Sequence, residues 1–186
     1  MLAIPQCILV DPATVQLQEL TRDTDHGIML MMSTLPATAV CPSCLHEAGR
    51  VHSRYHRTLA DLPWADVSVR IVLRVRRFFC DTPDCSRRIF TERLPTVARP
   101  WARRTTRLAT LQQQIGLVVG GAGGAVLCQA LACPISIDGL LALVRRSPLP
   151  DPPTPRVLGV DDWAVRKGQR YGTILVDQER ACIVDL

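Results

Sequence analysis

The sequence predicts an α+β chain assembled from several modules, and three observations carry that prediction. Two close pairs of cysteines, Cys41/Cys44 and Cys80/Cys85, bracket a segment in which apolar residues alternate with arginines. An uncharged, helix-compatible stretch follows. A proline-rich segment then leads into three further strand-like pieces. The implied organisation is a β-hairpin plus paired-cysteine domain over residues 1–95, a helical domain over 96–146, a linker over 147–155 and a last β segment over 156–186.

Each element has its own signal. Val15–Leu20 and Ile28–Ser33 read as two short strands, and the polar segment Thr21–Gly27 between them ends in glycine, as a hairpin loop should. Asp66–Phe79 is the clearest strand. Val67, Val69, Ile71, Leu73 and Val75 share one face, while Ser68, Arg70, Arg74 and Arg76 share the other with Val72. Leu108–Val119 and Ala122–Leu131 suit helices. After the turn Cys133-Pro134-Ile135, Ser136 is a good N-cap for a third helix, Ile137–Arg146. Ser147–Pro155 contains five of the fourteen prolines and reads as a linker. Beyond it, Arg156–Asp162, Arg170–Asp177 and Ala181–Leu186 read as strands, the last two joined by the short connection Gln178-Glu179-Arg180.

Charge is concentrated rather than spread. The net charge is +5, yet residues 50–107 hold fourteen arginines against five acids. Such a block suits a polyanion, nucleic acid above all, or else forms a solvated surface. The N-terminus lacks the basic start of an export signal, and Pro5 and Asp11 interrupt its apolar stretch, which points to the cytoplasm. There thiols stay reduced, and the eight cysteines favour metal over cross-links. Leu108–Ile137 has no charged residue, but Gln112, Gln113 and Gln114, five glycines and Pro134 argue against a membrane span.

The cysteine set reads C-x2-C, then thirty-five residues, then C-x4-C. Two such knuckles can pre-orient four thiolates for a tetrahedral zinc, with Cys41, Cys44, Cys80 and Cys85 as ligands of a structural site. His46 and His52 are possible substitutes, and four reduced thiols without metal are the alternative. Cys7, Cys128, Cys133 and Cys182 are scattered, with Cys128 and Cys133 in helical, apolar surroundings, and read as core residues. The arginine face, Arg70, Arg74 and Arg76 with Arg54 and Arg77 nearby, can neutralise phosphates. The short second helix, the turn and the capped third helix suit a helix-turn-helix, whose third helix would offer Ser136, Arg145 and Arg146 to DNA. That same helix is apolar enough to serve as an interface instead. Asp161, at the end of an apolar strand, could supply one carboxylate to a catalytic metal, or simply close a turn.

Taken together, these blocks resemble a known family. Cys41-Pro42-x-Cys44, His52-Ser53-Arg54-Tyr55, Arg76-Arg77-Phe78-Phe79-Cys80, Cys85 and Ile89-Phe90-Thr91-Glu92 resemble the N-terminal zinc-binding region of the ISL3 family of bacterial insertion-sequence transposases. Arg104–Arg146 resembles that family's helix-turn-helix. Gly159-Val160-Asp161-Asp162-Trp163-Ala164 through Thr173 resembles the opening of its ribonuclease-H-like DDE domain. The resemblance implies a bacterial cytoplasmic protein that binds double-stranded DNA at transposon terminal repeats. It makes Asp161 the first metal-binding acid of an incomplete catalytic site. Magnesium or manganese would be expected only with the remaining acids present, so a truncated transposase, inactive alone, is the expectation. The alternative is a free-standing zinc and helix-turn-helix DNA-binding regulator. Full-length transposase and a second copy of the chain are further possible partners.

Overall fold

A computed structural model describes residues 9–23, 27–147, 153–166 and 168–185. The chain divides into two compact units, Met1–Ser147 and Pro148–Leu186.

The larger unit is built on a sheet. Strands β1 (Val15–Asp23) and β2 (Gly27–Thr34) form the expected hairpin and run further into the polar loop than its composition suggests. Two short strands, β3 (Ala39–Val40) and β4 (Glu47–Ala48), pair with each other and carry the first cysteine knuckle. Then come the two long strands, β5 (Val51–Trp64) and β6 (Val67–Phe79), in an antiparallel hairpin. The order across the sheet is β1-β2-β6-β5, with β2 parallel to β6. A short strand β7 (Ile89–Thr91) pairs with the far end of β6, at Arg77–Phe79.

Alternation along β6 is realised in the burial. Val69, Ile71, Leu73 and Val75 are at most 2% exposed. With Val15, Leu30, Met32 and Leu59 they form the main core, closed by Val97 and Ala98. Strand β5 was not legible in the sequence. Its inward positions include Ser53 and Arg57, so the apolar-polar contrast that marks β6 is weak there. The β5–β6 turn places Ala65 and Asp66 at φ +45° and +63°, a left-handed pair that ordinarily selects Asn and Gly.

Three helices complete the unit: α1 (Thr106–Val119), α2 (Gly121–Ala130) and α3 (Ile137–Val144). Gly120, at φ +80° and ψ 179°, separates α1 from α2 in a conformation that favours glycine. Close packing depends on Gly116 and Gly124. A Cβ on Gly124 would lie 2.5 Å from Cδ2 of Leu140, which is fully buried. No helix is long and apolar enough to cross a membrane among the described residues.

The helices are tied to the sheet by polar contacts. Buried Asp61 on β5 accepts hydrogen bonds from the Thr105 hydroxyl (2.7 Å) and Arg107 Nε (2.8 Å), and pairs with a second Arg107 nitrogen. Thr105 is in turn the N-cap of α1. Within the helical cluster, buried Gln112 donates to the Cys133 carbonyl (2.9 Å), and Gln113 donates to the Leu143 carbonyl (2.8 Å). The glutamines that interrupt the apolar stretch thus hold the helices together.

The second unit contains a three-stranded antiparallel sheet: β8 (Leu158–Arg166), β9 (Arg170–Asp177) and β10 (Cys182–Asp185), in the order β10-β9-β8. Strand β8 runs past the expected end at Asp162. Asp177 shapes the β9–β10 turn by accepting from the backbone N–H groups of Glu179 and Arg180.

Candidate metal centre and basic surfaces

Both knuckles stand at one end of the β5–β6 hairpin. The first spans Cys41–Cys44 between β3 and β4. Leu45, at φ +62°, donates its N–H to the Cys41 carbonyl, and Cys41 N–H bonds to the His46 carbonyl. The second follows β6, where Cys85 N–H bonds to Thr82 O and Cys80 N–H to Arg88 O. These turns aim all four sulfurs inward. The ligand atoms of Cys41, Cys44, Cys80 and Cys85 lie within 4.8 Å of one another. Cys44 Sγ is 3.6 Å from Cys80 Sγ, and Cys41 Sγ is 3.9 Å from Cys85 Sγ. A tetrahedral zinc with Zn–S distances of about 2.3 Å separates its sulfurs by about 3.8 Å, so the four residues fit a zinc ion. Four protein thiolates leave no position for a reacting water, which makes the site structural in kind.

The surroundings favour thiolates unevenly. The backbone N–H of His46 and the Thr82 hydroxyl lower the Cys44 pKa to about 6. Burial pushes Cys41 up, but N–H groups of Cys44 and Ser43 outweigh it and leave it below its ordinary value. The Arg87 N–H pulls Cys85 down, yet burial and the neighbouring sulfurs carry it to about 11. Four thiols this close cannot ionise independently, and a bound cation would relieve that conflict. Phe78 and Phe90 stack beside the cluster with ring centroids 6.0 Å apart, forming a small second core. His46 and His52 are not part of the cluster. His46 is exposed and contacts the Cys44 carbonyl, while His52 contacts Ser53 and the edge of Phe79.

The expected arginine row separates into three situations. Arg54, Arg70 and Arg74 are exposed, and register places them on one sheet face, with Arg54 opposite Arg76 and His56 opposite Arg74. Arg76 is turned into the fold. It is paired with buried Glu92 at 2.7 Å and donates to the Pro36 carbonyl at 2.6 Å. This corrects its place in a free cationic row. Glu92 also accepts from the Arg76 backbone N–H and the Thr34 hydroxyl, joining the N-terminal hairpin to the cysteine end. Arg77 belongs to the opposite face, with its guanidinium 5.0 Å from the Tyr55 ring centroid.

The helical candidates are placed differently from the sheet arginines. Ser136 Oγ accepts from the Gly139 N–H at 3.1 Å, as an N-cap. Arg145 and Arg146 are exposed just past the end of α3. Within α3 the exposed residues are Ile137 and Asp138, and the others are packed wholly or partly away. Asp161 lies inside β8, opposite Ile174, rather than at the strand end. It is exposed and accepts from the Asp162 N–H at 2.8 Å, while Asp162 accepts from the Thr173 hydroxyl at 3.1 Å. Among the described residues, the four cysteines form the one group of Cys, His, Asp or Glu able to hold a metal.

A basic cleft escaped sequence reasoning. It has a volume of about 780 Å³ and is lined by Arg77, Arg87, Arg93 and Arg103, with Tyr55 and Trp101. The repeated arginines and lone tryptophan of Ala98–Arg104 are the signal that could have marked it.

The fold and the four-thiol geometry define the class of this site, a zinc ribbon whose two knuckles are joined by a long β-hairpin. Residues 37–85 match the family model described as the zinc-finger of transposase IS204/IS1001/IS1096/IS1165. That stretch contains both cysteine pairs and the whole hairpin. No curated protein and no solved structure matches the chain.

Proposed function

We propose that this chain is a DNA-binding part of an insertion-sequence transposase of the ISL3 type. The observation that carries the reading is the match over residues 37–85 together with four sulfurs at zinc-compatible spacing. Zinc fixes the knuckle end of the hairpin, so the exposed cations Arg54, Arg70 and Arg74 are held in place on the sheet. They contact phosphates of double-stranded DNA, and the terminal repeats of the element are the specific target. The α2-turn-α3 arrangement serves as a helix-turn-helix, with Arg145 and Arg146 meeting the backbone. Asp161 supplies one acid to a ribonuclease-H-like site whose magnesium or manganese requires further carboxylates.

A regulator that binds without cutting is the second reading. Neither reading predicts cutting by this chain alone, so both are tested through DNA binding. DNA binding itself is tested by titrating the zinc-loaded chain into duplex DNA across a salt series. The triple substitution R54Q/R70Q/R74Q should lower the slope of log affinity against log salt by roughly 0.9 for each phosphate no longer neutralised. An unchanged slope would remove the sheet face from the interface.

A further inference from the structure

We propose that the arginine-lined cleft beside β5 is a second nucleic-acid site, one that takes an unpaired stretch of DNA strand with a base stacked on Trp101. The proposal rests on the reading of the chain as a DNA-binding protein, but it uses different residues and a different face.

Trp101 is 94% exposed, on a segment whose sequence is Arg99-Pro100-Trp101-Ala102-Arg103. Its φ is +63°, a left-handed conformation that a bulky side chain rarely adopts. Water does not favour displaying a large aromatic ring, and the backbone does not favour this twist. Both are imposed by specific contacts. Arg57, an inward-facing residue of β5, donates hydrogen bonds of 2.6 Å to the carbonyls of Arg99 and Ala102. It thereby grips the loop on either side of Trp101. The Ala60 N–H bonds to the Arg103 carbonyl, and the Ala102 N–H bonds to the Arg99 carbonyl. Strain held in place by its surroundings is a recurrent mark of a working surface.

The chemistry around the ring selects the ligand. Arg77, Arg87, Arg93 and Arg103 are exposed along the cleft, and its acid, Glu92, is already paired with Arg76. Uncompensated cations beside a free indole face suit phosphates beside a base, the combination by which single strands are held. An unpaired base has a free face to stack on Trp101, whereas the bases of a duplex already stack on one another. Arg57 also lines the cleft, and its hydrogen bonds to the two carbonyls make it a positioning residue for the loop.

The test uses the full zinc-loaded chain, with oligo(dT) and a blunt duplex as probes. In a W64F/W163F background Trp101 is the remaining tryptophan, and oligo(dT) should quench its emission. W101A should weaken oligo(dT) binding by about 5- to 150-fold, the range for removal of one stacked base. W101F should restore most of that affinity, and duplex binding should change less than about twofold. R93Q/R103Q should lower the oligo(dT) salt slope by roughly 0.7 for each phosphate released. Unchanged oligo(dT) binding by W101A overturns the proposal, as does an equal weakening on both probes or an absence of quenching. Duplex binding that depends on Arg54, Arg70 and Arg74 while W101A has no effect would leave the sheet-face reading standing and sink this one. Trp101-dependent oligo(dT) binding without duplex binding would do the reverse.

Discussion

Among the described residues, the cysteines of the larger unit occupy two places, with opposite consequences. At the knuckle end, Cys41, Cys44, Cys80 and Cys85 converge on a point, and backbone N–H groups support negative sulfur, bringing Cys44 to about 6. In the helical cluster, Cys128 and Cys133 are buried among Leu108, Leu62, Ile115 and Ile135. Burial there opposes ionisation and carries Cys133 to about 11. One residue type is thus suited to hold a metal where backbone donors gather round it and serves as a small apolar filler where they do not.

The largest expected effect comes from breaking the first site while sparing the second. Structural zinc contributes apparent binding free energies of about 10–16 kcal/mol in small zinc domains. Chelation, or C44S or C80S, should therefore unfold the knuckle end and abolish zinc binding. C128A and C133A should leave zinc content unchanged, as read by metal analysis and by the thiolate-to-cobalt absorption of cobalt-substituted protein. Loss of zinc from C133A would contradict the division of roles.

Next in size is the joint between sheet and helices. D61A leaves Arg107 without its buried carboxylate and removes the partner of the Thr105 cap, at a cost of about 3–5 kcal/mol. Chemical denaturation should show the helices losing protection before the zinc-held hairpin. Simultaneous loss of both would mean that the two regions share one cooperative core.

A pH titration sharpens the contrast in smaller measure. The Cys133 pKa is raised from 9.0 to about 11 in the folded state, so its contribution to stability is fully present below pH 9.0. It is then lost as pH rises through about 11. The helical transition should weaken over that window, and C133A should remove part of the slope.

The smallest effect is at the hairpin tip. A65N/D66G places residues suited to a left-handed turn where Ala65 and Asp66 now stand, and should stabilise the larger unit by about 1 kcal/mol. A lowered melting temperature would show that this turn is not under strain.

Much of this arrangement is legible in the sequence wherever a local rule suffices. The alternation of Val69, Ile71, Leu73 and Val75 specifies the inner face of β6, because a strand's side chains must alternate. Ser136 announces the start of α3, because an orphan N–H needs an oxygen. The spacing of the cysteines specifies two knuckles. Local rules fail where a residue's partner lies far along the chain. Arg76 looks like its neighbours in sequence, yet Glu92 removes it from the exposed row. Arg57 on an inward strand position blurs the pattern of β5 because its partners are carbonyls 42 and 45 residues away. Sequence by itself determined β6, the helices, the knuckles and the excess of arginine, but not β5. Tertiary structure alone decided which arginines face solvent and which cysteines meet. It also set Trp101 at the rim of a basic cleft, because charge pairing, thiol convergence and loop conformation are properties of distance in space.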